Sequence, residues 1–146
     1  MADDFYRNGL RFSCTRCSSC CRFQPGYVFL TEADLKQLQR ATGLSRGELV
    51  TAHCRQVNVN GISRLSLKEK ANFDCIFWER EGCRVYRHRP LQCRSFPFWS
   101  SNLASETAWE DLKDTCPGVG GGKTHSRRTI VRWLGKQQKA NYLEKP

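Results

Sequence analysis

No stretch of this 146-residue chain approaches the roughly 20 apolar residues that a membrane-spanning helix requires. The opening segment, Met1 to Gly9, is polar and mixed in charge with no apolar run behind it, which does not fit a secretory leader. A cytoplasmic chain with reduced thiols is therefore expected. Histidine is scarce: His53, His88 and His125 are the whole supply, and none shows a pairing with a carboxylate that a Ser/His/Asp triad would need. Gly118 to Thr124 imitates a phosphate-binding loop, but the position that must be glycine is Pro117, and no strand is predicted before it. No internal repeat is present, and Gly120 to Gly122 is the only low-complexity tract. No catalytic motif emerges from these absences.

What the chain does have is cysteine, nine in all. Four fall within eight residues: Cys14, Cys17, Cys20 and Cys21. Thiolates at i, i+3 and i+6 of a tight loop can converge on one metal centre, whereas adjacent side chains usually point apart, so Cys21 is expected to serve a second site or a second face. An odd number of cysteines leaves one unpaired in any all-disulfide scheme, and a reducing compartment disfavours disulfides altogether. Metal ligation is the better reading. The formal charge of +10 is counted with neutral thiols. Ligation requires deprotonated sulfur, so two four-thiolate sites at about −2 each would bring the chain to about +6. Arg16, Arg22, Arg84 and Arg94 each stand beside a cysteine, where a cation favours the thiolate.

Along the chain, residues 1–13 read as a lead-in and Tyr27 to Leu30 as a strand. Thr31 to Asp34 resembles a capping box that opens a helix with Leu35 and Leu38 inward, ended by Gly43. Ser45 to Glu48 resembles another, leading a helix through Leu49, Val50 and Cys54. Val57 to Leu67 reads as a hairpin about Asn60-Gly61, and Cys75–Trp78 with Cys83–Tyr86 as a second one. Residues 87–123 look mostly irregular, with a short helix around Trp109–Leu112, and Arg127 to about Tyr142 reads as a final helix. The expected fold class is α+β: a small, irregular, cysteine-rich and metal-stabilised domain over residues 1–122, with the basic helix of residues 123–146 packed on it.

Beyond the first cluster stand Cys75, Cys83, Cys93 and Cys116, which complete a set of eight, enough for two four-cysteine sites. Cys54 lies among apolar residues and reads as a small buried hydrophobe. Structural zinc sites usually use two Cys-x2-Cys pairs, and the later cysteines offer no second pair. Cys14, Cys17 and Cys20 with the remote Cys116-Pro117 imitate a bacterial ferredoxin pattern across a far longer separation. That grouping would leave Cys21, Cys75, Cys83 and Cys93 for the second site. Arg89 and Arg94 are expected to hydrogen-bond sulfur or backbone carbonyls around such a centre, the alternative being solvated surface.

These residues resemble a known family, the YkgJ-like CxxCxxCC proteins, regarded as zinc- or iron-chelating domains. The matching residues are Cys14 to Cys21, Leu30 to Asp34, Cys75 to Trp78, Cys83 to Pro90, Cys93 to Phe98 and Cys116 to Gly118. Ser18 stands where members often have glycine. The resemblance implies a metal or cluster held by the eight matching cysteines. The cysteine motif is also similar to that of flagellin lysine methylases, thought to carry a four-iron cluster, which favours an iron–sulfur centre of 4Fe-4S type with a redox or cluster-handling role. A zinc-binding structural or interaction module is the alternative, and a cluster-dependent modifying enzyme a third.

From Lys123 onward seven Lys/Arg face one Glu. Arg128, Arg132, Lys136 and Lys139 share one helical face, opposite Ile130, Trp133 and Leu134. The segment reads first as a solvated amphipathic helix packing Ile130 and Leu134 onto the domain. The alternatives are a cationic face for an acidic protein partner, ahead of nucleic acid because stacking aromatics interleaved with the cations are few, and a shield over a cluster with Trp133 as its lid.

Overall fold

The computed structural model describes residues 5–15, 27–79 and 82–144. Among the described residues, five α-helices and three two-stranded antiparallel sheets make a mixed, irregular architecture, as the sequence predicts. The chain divides into two compact units, Met1–Ser19 with Ser95–Lys139, and Cys20–Arg94 with Ala140–Pro146.

In the second unit, helix α1 (Glu32–Thr42) starts at Thr31, whose hydroxyl accepts from the Asp34 N–H while the Asp34 carboxylate accepts from the Thr31 N–H. Gly43 closes it at φ 73°, a left-handed conformation that costs glycine little. Ser45 and Glu48 form the same reciprocal cap for α2 (Arg46–His53). Expected to continue through Cys54, this helix instead stops at His53, and Cys54 begins strand β2 (Cys54–Val59). The β-branched and polar alternation that follows suits a strand and draws the boundary back. Asn60 and Gly61, both at positive φ, turn β2 into β3 (Ile62–Leu67) in register from Cys54 opposite Leu67 to Val59 opposite Ile62. The strand expected at Tyr27–Leu30 is reduced to single bridges at Phe29 and Thr31, where the chain runs along β3 on one side and Tyr142 on the other. Leu30, Leu35, Leu38, Leu49, Leu65 and Phe77 are fully buried at the centre of this unit. The second hairpin is short, β4 (Trp78–Glu79) with β5 (Gly82–Cys83). Helix α3 (Leu91–Ser95), which falls in a region expected to be irregular, carries Cys93.

In the first unit, the presumed lead-in and the glycine-rich connector pair with each other: β1 (Leu10–Phe12) lies antiparallel to β6 (Val119–His125) with a bulge between Arg11 and Phe12. Helix α4 (Glu106–Asp111) is capped by Ser105, a turn longer at its start than expected. Helix α5 (Arg127–Gln138) is capped by Ser126 and ends sooner than the expected Tyr142. Ile130 is fully buried with Phe12, Phe98, Trp109 and Val119, while Arg128, Arg132, Lys136 and Lys139 are exposed, as the helical periodicity predicts. Among the described residues no helix is long and apolar enough to cross a membrane.

Candidate metal centre

In the first unit, the end of the β1–β6 ribbon carries Cys14 and Cys116. Phe12 pairs with Val119, and the ladder continues one step further, the Ser13 N–H donating to the Gly118 carbonyl at 3.3 Å. Cys14 follows Ser13 directly, and Cys116 stands two residues before Gly118, in a turn closed by the Val119 N–H donating to the Cys116 carbonyl. Two glycines permit the approach. A Cβ on Gly118 would lie 2.2 Å from the Ser13 carbonyl oxygen, and one on Gly122 would lie 2.2 Å from the Ser13 hydroxyl. In the space so left, the Ser13 hydroxyl accepts from the Lys123 N–H at 2.8 Å. Cys116 itself is fixed by its backbone, its N–H donating to Leu112 and its carbonyl accepting from Val119. It is buried, and Cys14 is exposed. The glycine-rich segment that resembles a phosphate loop is thus a seat for the residue preceding Cys14.

In the second unit, Cys75 and Cys83 belong to the same small hairpin. The Trp78 N–H donates to the Cys75 carbonyl at 2.8 Å, closing a turn, and Cys83 lies opposite Trp78 across the β4–β5 ladder. Cys75 is also bridged to Glu69. Both cysteines are half-buried against the leucine core. Cys93, likewise half-buried, sits one turn into α3.

The position of α3 is set by two side chains that earlier motifs supply. Asp34 is 2% exposed, and while its Oδ2 accepts from Thr31 N–H at 2.9 Å, its Oδ1 accepts from Leu91 N–H at 3.0 Å. One carboxylate therefore satisfies orphan donors at the starts of two helices, α1 and α3. Gln92 does a second job from the same turn. Its Oε1 accepts from Phe29 N–H at 3.1 Å and its Nε2 donates to the Tyr27 carbonyl at 2.6 Å. Cys93 is thereby tied to the stretch that directly follows residues 16–26. Sequence reasoning missed both links. The signal was the polar pair of Asp34 and Gln92, each close to a motif but not itself a thiol.

The arginines bond to backbone carbonyls. Arg89 Nε donates to the Tyr86 carbonyl at 2.9 Å with its guanidinium 3.9 Å above the Tyr86 ring, and Arg94 Nε donates to the Arg89 carbonyl at 3.0 Å. Both brace the turn that leads into α3. Arg84 lies 5.4 Å over Phe77, faces His53 Nε2 at 3.3 Å and pairs with Glu79 at 3.4 Å. His53 stacks on Phe77 at 4.8 Å, and burial, with Arg84 and Lys68 nearby, pulls its pKa down. His125 Nε2 donates to the Phe12 carbonyl at 2.8 Å. His88 is half-buried. Cys54 is 4% exposed and burial pushes its thiol up to about 11, so it stays protonated at neutral pH and suits packing better than ligation.

Cys17, Cys20 and Cys21 lie outside the described residues, and among the described residues no three His, Cys, Asp or Glu side chains form a metal-holding group. The donors that are described nonetheless suit a soft or borderline metal. All five are thiols, and they come as Cys14 with Cys116 in one unit and Cys75, Cys83 and Cys93 in the other. Thiol sets of this kind hold zinc or iron–sulfur clusters.

Fold and donor set together define a cysteine-rich α+β metal-binding protein. Residues 13–117 match the family CxxCxxCC, described as "Putative zinc- or iron-chelating domain", and the chain belongs to that family. It is also similar to the uncharacterized protein MJ0661 of Methanocaldococcus jannaschii, 26% identical over 97 residues. That match covers 65% of this chain and 49% of the relative, so the chain spans about half the length of the curated relative. No solved structure gives a significant match.

Proposed function

We propose that the chain holds an iron–sulfur centre of 4Fe-4S type through Cys14, Cys17, Cys20 and Cys116, with Cys21, Cys75, Cys83 and Cys93 serving a second thiolate site, and that its role is redox or cluster handling. The observation that carries the reading is the β1–β6 ribbon. In sequence, the distance from the first cysteine cluster to Cys116-Pro117 was the main departure from a ferredoxin-like ligand pattern. The Ser13–Gly118 hydrogen bond supports the reading, because it pairs the residue before Cys14 with the residue two places after Cys116. A cluster bound there would supply one-electron chemistry. The chain's own contribution would be to fix the thiolates, to keep Cys116 away from water and to place cationic Arg84 and Arg94 next to Cys83 and Cys93. Zinc is the competing occupant, with a structural or interaction role.

The test is anaerobic expression followed by visible absorption and assay of iron, zinc and acid-labile sulfide per chain. Broad charge-transfer absorption with matching iron and sulfide supports the proposal. A colourless protein with stoichiometric zinc overturns it in favour of the zinc module. Cys17→Ser and Cys93→Ser should each lose metal and destabilise the fold, and full metal retention in both would sink the whole ligand assignment.

A further inference from the structure

The outward face of α5 combines three features that the chain's own packing does not account for. The first is charge. From Lys123 to Lys139 six Lys/Arg occur without one Asp or Glu, and Arg128, Arg132 and Lys139 are exposed with no carboxylate partner among the described residues. Arg127 and Arg128 occupy the first turn, where no acidic residue is present and where cations oppose the helix dipole. The second is Val131, 42% exposed in the middle of this face, with Arg127 and Arg128 before it and Arg132 after it. The third is Gly135, one turn further along the same face. Glycine in a helix interior costs about 1 kcal/mol relative to alanine. No internal contact requires it, since a Cβ at Gly135 would meet no atom within 4 Å.

A half-buried helical glycine with nothing within 4 Å of where a Cβ would stand leaves room for another backbone to come close. An exposed valine ringed by arginines is the composition of a protein–protein contact, in which arginine and an apolar centre carry most of the energy. A phosphate backbone would use the cations alone. Trp133, on the same helix, is half-buried with Lys136 lying 5.0 Å over its ring, a cation that competes with any stacking base. We infer that this face of α5, centred on Val131 and Gly135 and flanked by Arg128, Arg132 and Lys139, docks an acidic segment of another protein. The proposal does not depend on which metal the cysteines hold.

The test uses the full metal-loaded chain as purified. Its probes are a fluorescent amphipathic peptide of glutamate and alanine with one leucine seam, and a fluorescent duplex oligonucleotide, each titrated at low and at physiological salt. The expected result is saturable peptide binding that exceeds duplex binding and weakens with salt. Arg128→Glu with Arg132→Glu should weaken peptide binding at least tenfold. Gly135→Leu should also weaken it at least tenfold while leaving the melting temperature equal or higher, a combination that a merely structural glycine would not give. Three results would each overturn the inference: no saturable peptide binding, unchanged peptide affinity in Gly135→Leu, or tighter binding of the duplex, which would assign the face to a phosphate backbone.

Discussion

Replacing Gly118 with alanine puts the ribbon-end geometry at risk directly. The new methyl would stand 2.2 Å from the Ser13 carbonyl oxygen, whereas carbon–oxygen contacts between neighbouring strands normally lie at about 3.3–3.6 Å. The obstacle is backbone, so no rotamer relieves it, and the strands must part by about 1 Å. That movement gives up the Ser13–Gly118 hydrogen bond, worth about 1 kcal/mol, and adds overpacking strain of about 1–3 kcal/mol. A total loss of about 2–4 kcal/mol is expected. Metal–ligand distances tolerate only about 0.2 Å, so if Cys14 and Cys116 share a centre as proposed, the same shift should deplete its metal. Gly121 is the internal control, because a Cβ there meets nothing within 4 Å, and Gly121→Ala should change stability by no more than about 0.5 kcal/mol.

Gly122→Ala separates side-chain from backbone obstruction. At φ 74° its methyl is strained and also meets the Ser13 hydroxyl at 2.2 Å. Adding Ser13→Gly should rescue part of the Gly122→Ala loss and none of the Gly118→Ala loss. The assay is denaturant unfolding with metal content for all five variants, single and double. If Gly118→Ala unfolds at the same midpoint as Gly121→Ala and keeps its metal, the ribbon end is not closed and Cys14 is not held beside Cys116.

Other perturbations have equally specific outcomes. Asp34→Ala removes the acceptor for two backbone donors at a buried site and should cost about 3 kcal/mol, with Asp34→Asn intermediate because one amide oxygen serves only one of them; thermal unfolding reads both. Gln92→Ala should cost about 1–2 kcal/mol and reduce metal content, and Gln92→Glu should not rescue it, because a carboxylate oxygen would then face the Tyr27 carbonyl. Cys54 gives a pH signature. Its folded pKa is raised to about 11 above an ordinary value of 9.0, so its contribution is complete below pH 9 and is lost as pH rises towards 11, when only the unfolded chain ionises. The decline is about 1.4 kcal/mol per pH unit at most, and Cys54→Ala should show a flatter stability profile over that window without losing metal.

Local signals were legible in the sequence wherever a few neighbouring residues settle a conformation. Both capping boxes, the Asn60-Gly61 hairpin and the two faces of α5 are of that kind, because a cap, a primed turn and a helical period each need only residues within one or two turns. The family-defining cysteines and the charge of the last helix were equally plain. Three features required the tertiary structure. The polar lead-in and the glycine-rich connector carry too little strand propensity to announce a ribbon, and β1 and β6 exist because each supplies the other's hydrogen bonds across the length of the chain. Helix α3 is too short to show a period, and its start is fixed by the second oxygen of Asp34 from far upstream. The boundary at Cys54 moved because pairing with Leu67 outweighed the helical pattern before it. The residues alone determined which thiols are available and where α1, α2 and α5 begin. Only long-range backbone pairing, permitted by the missing side chains of Gly118 and Gly122, joined the segment that leads to Cys14 with the segment that follows Cys116.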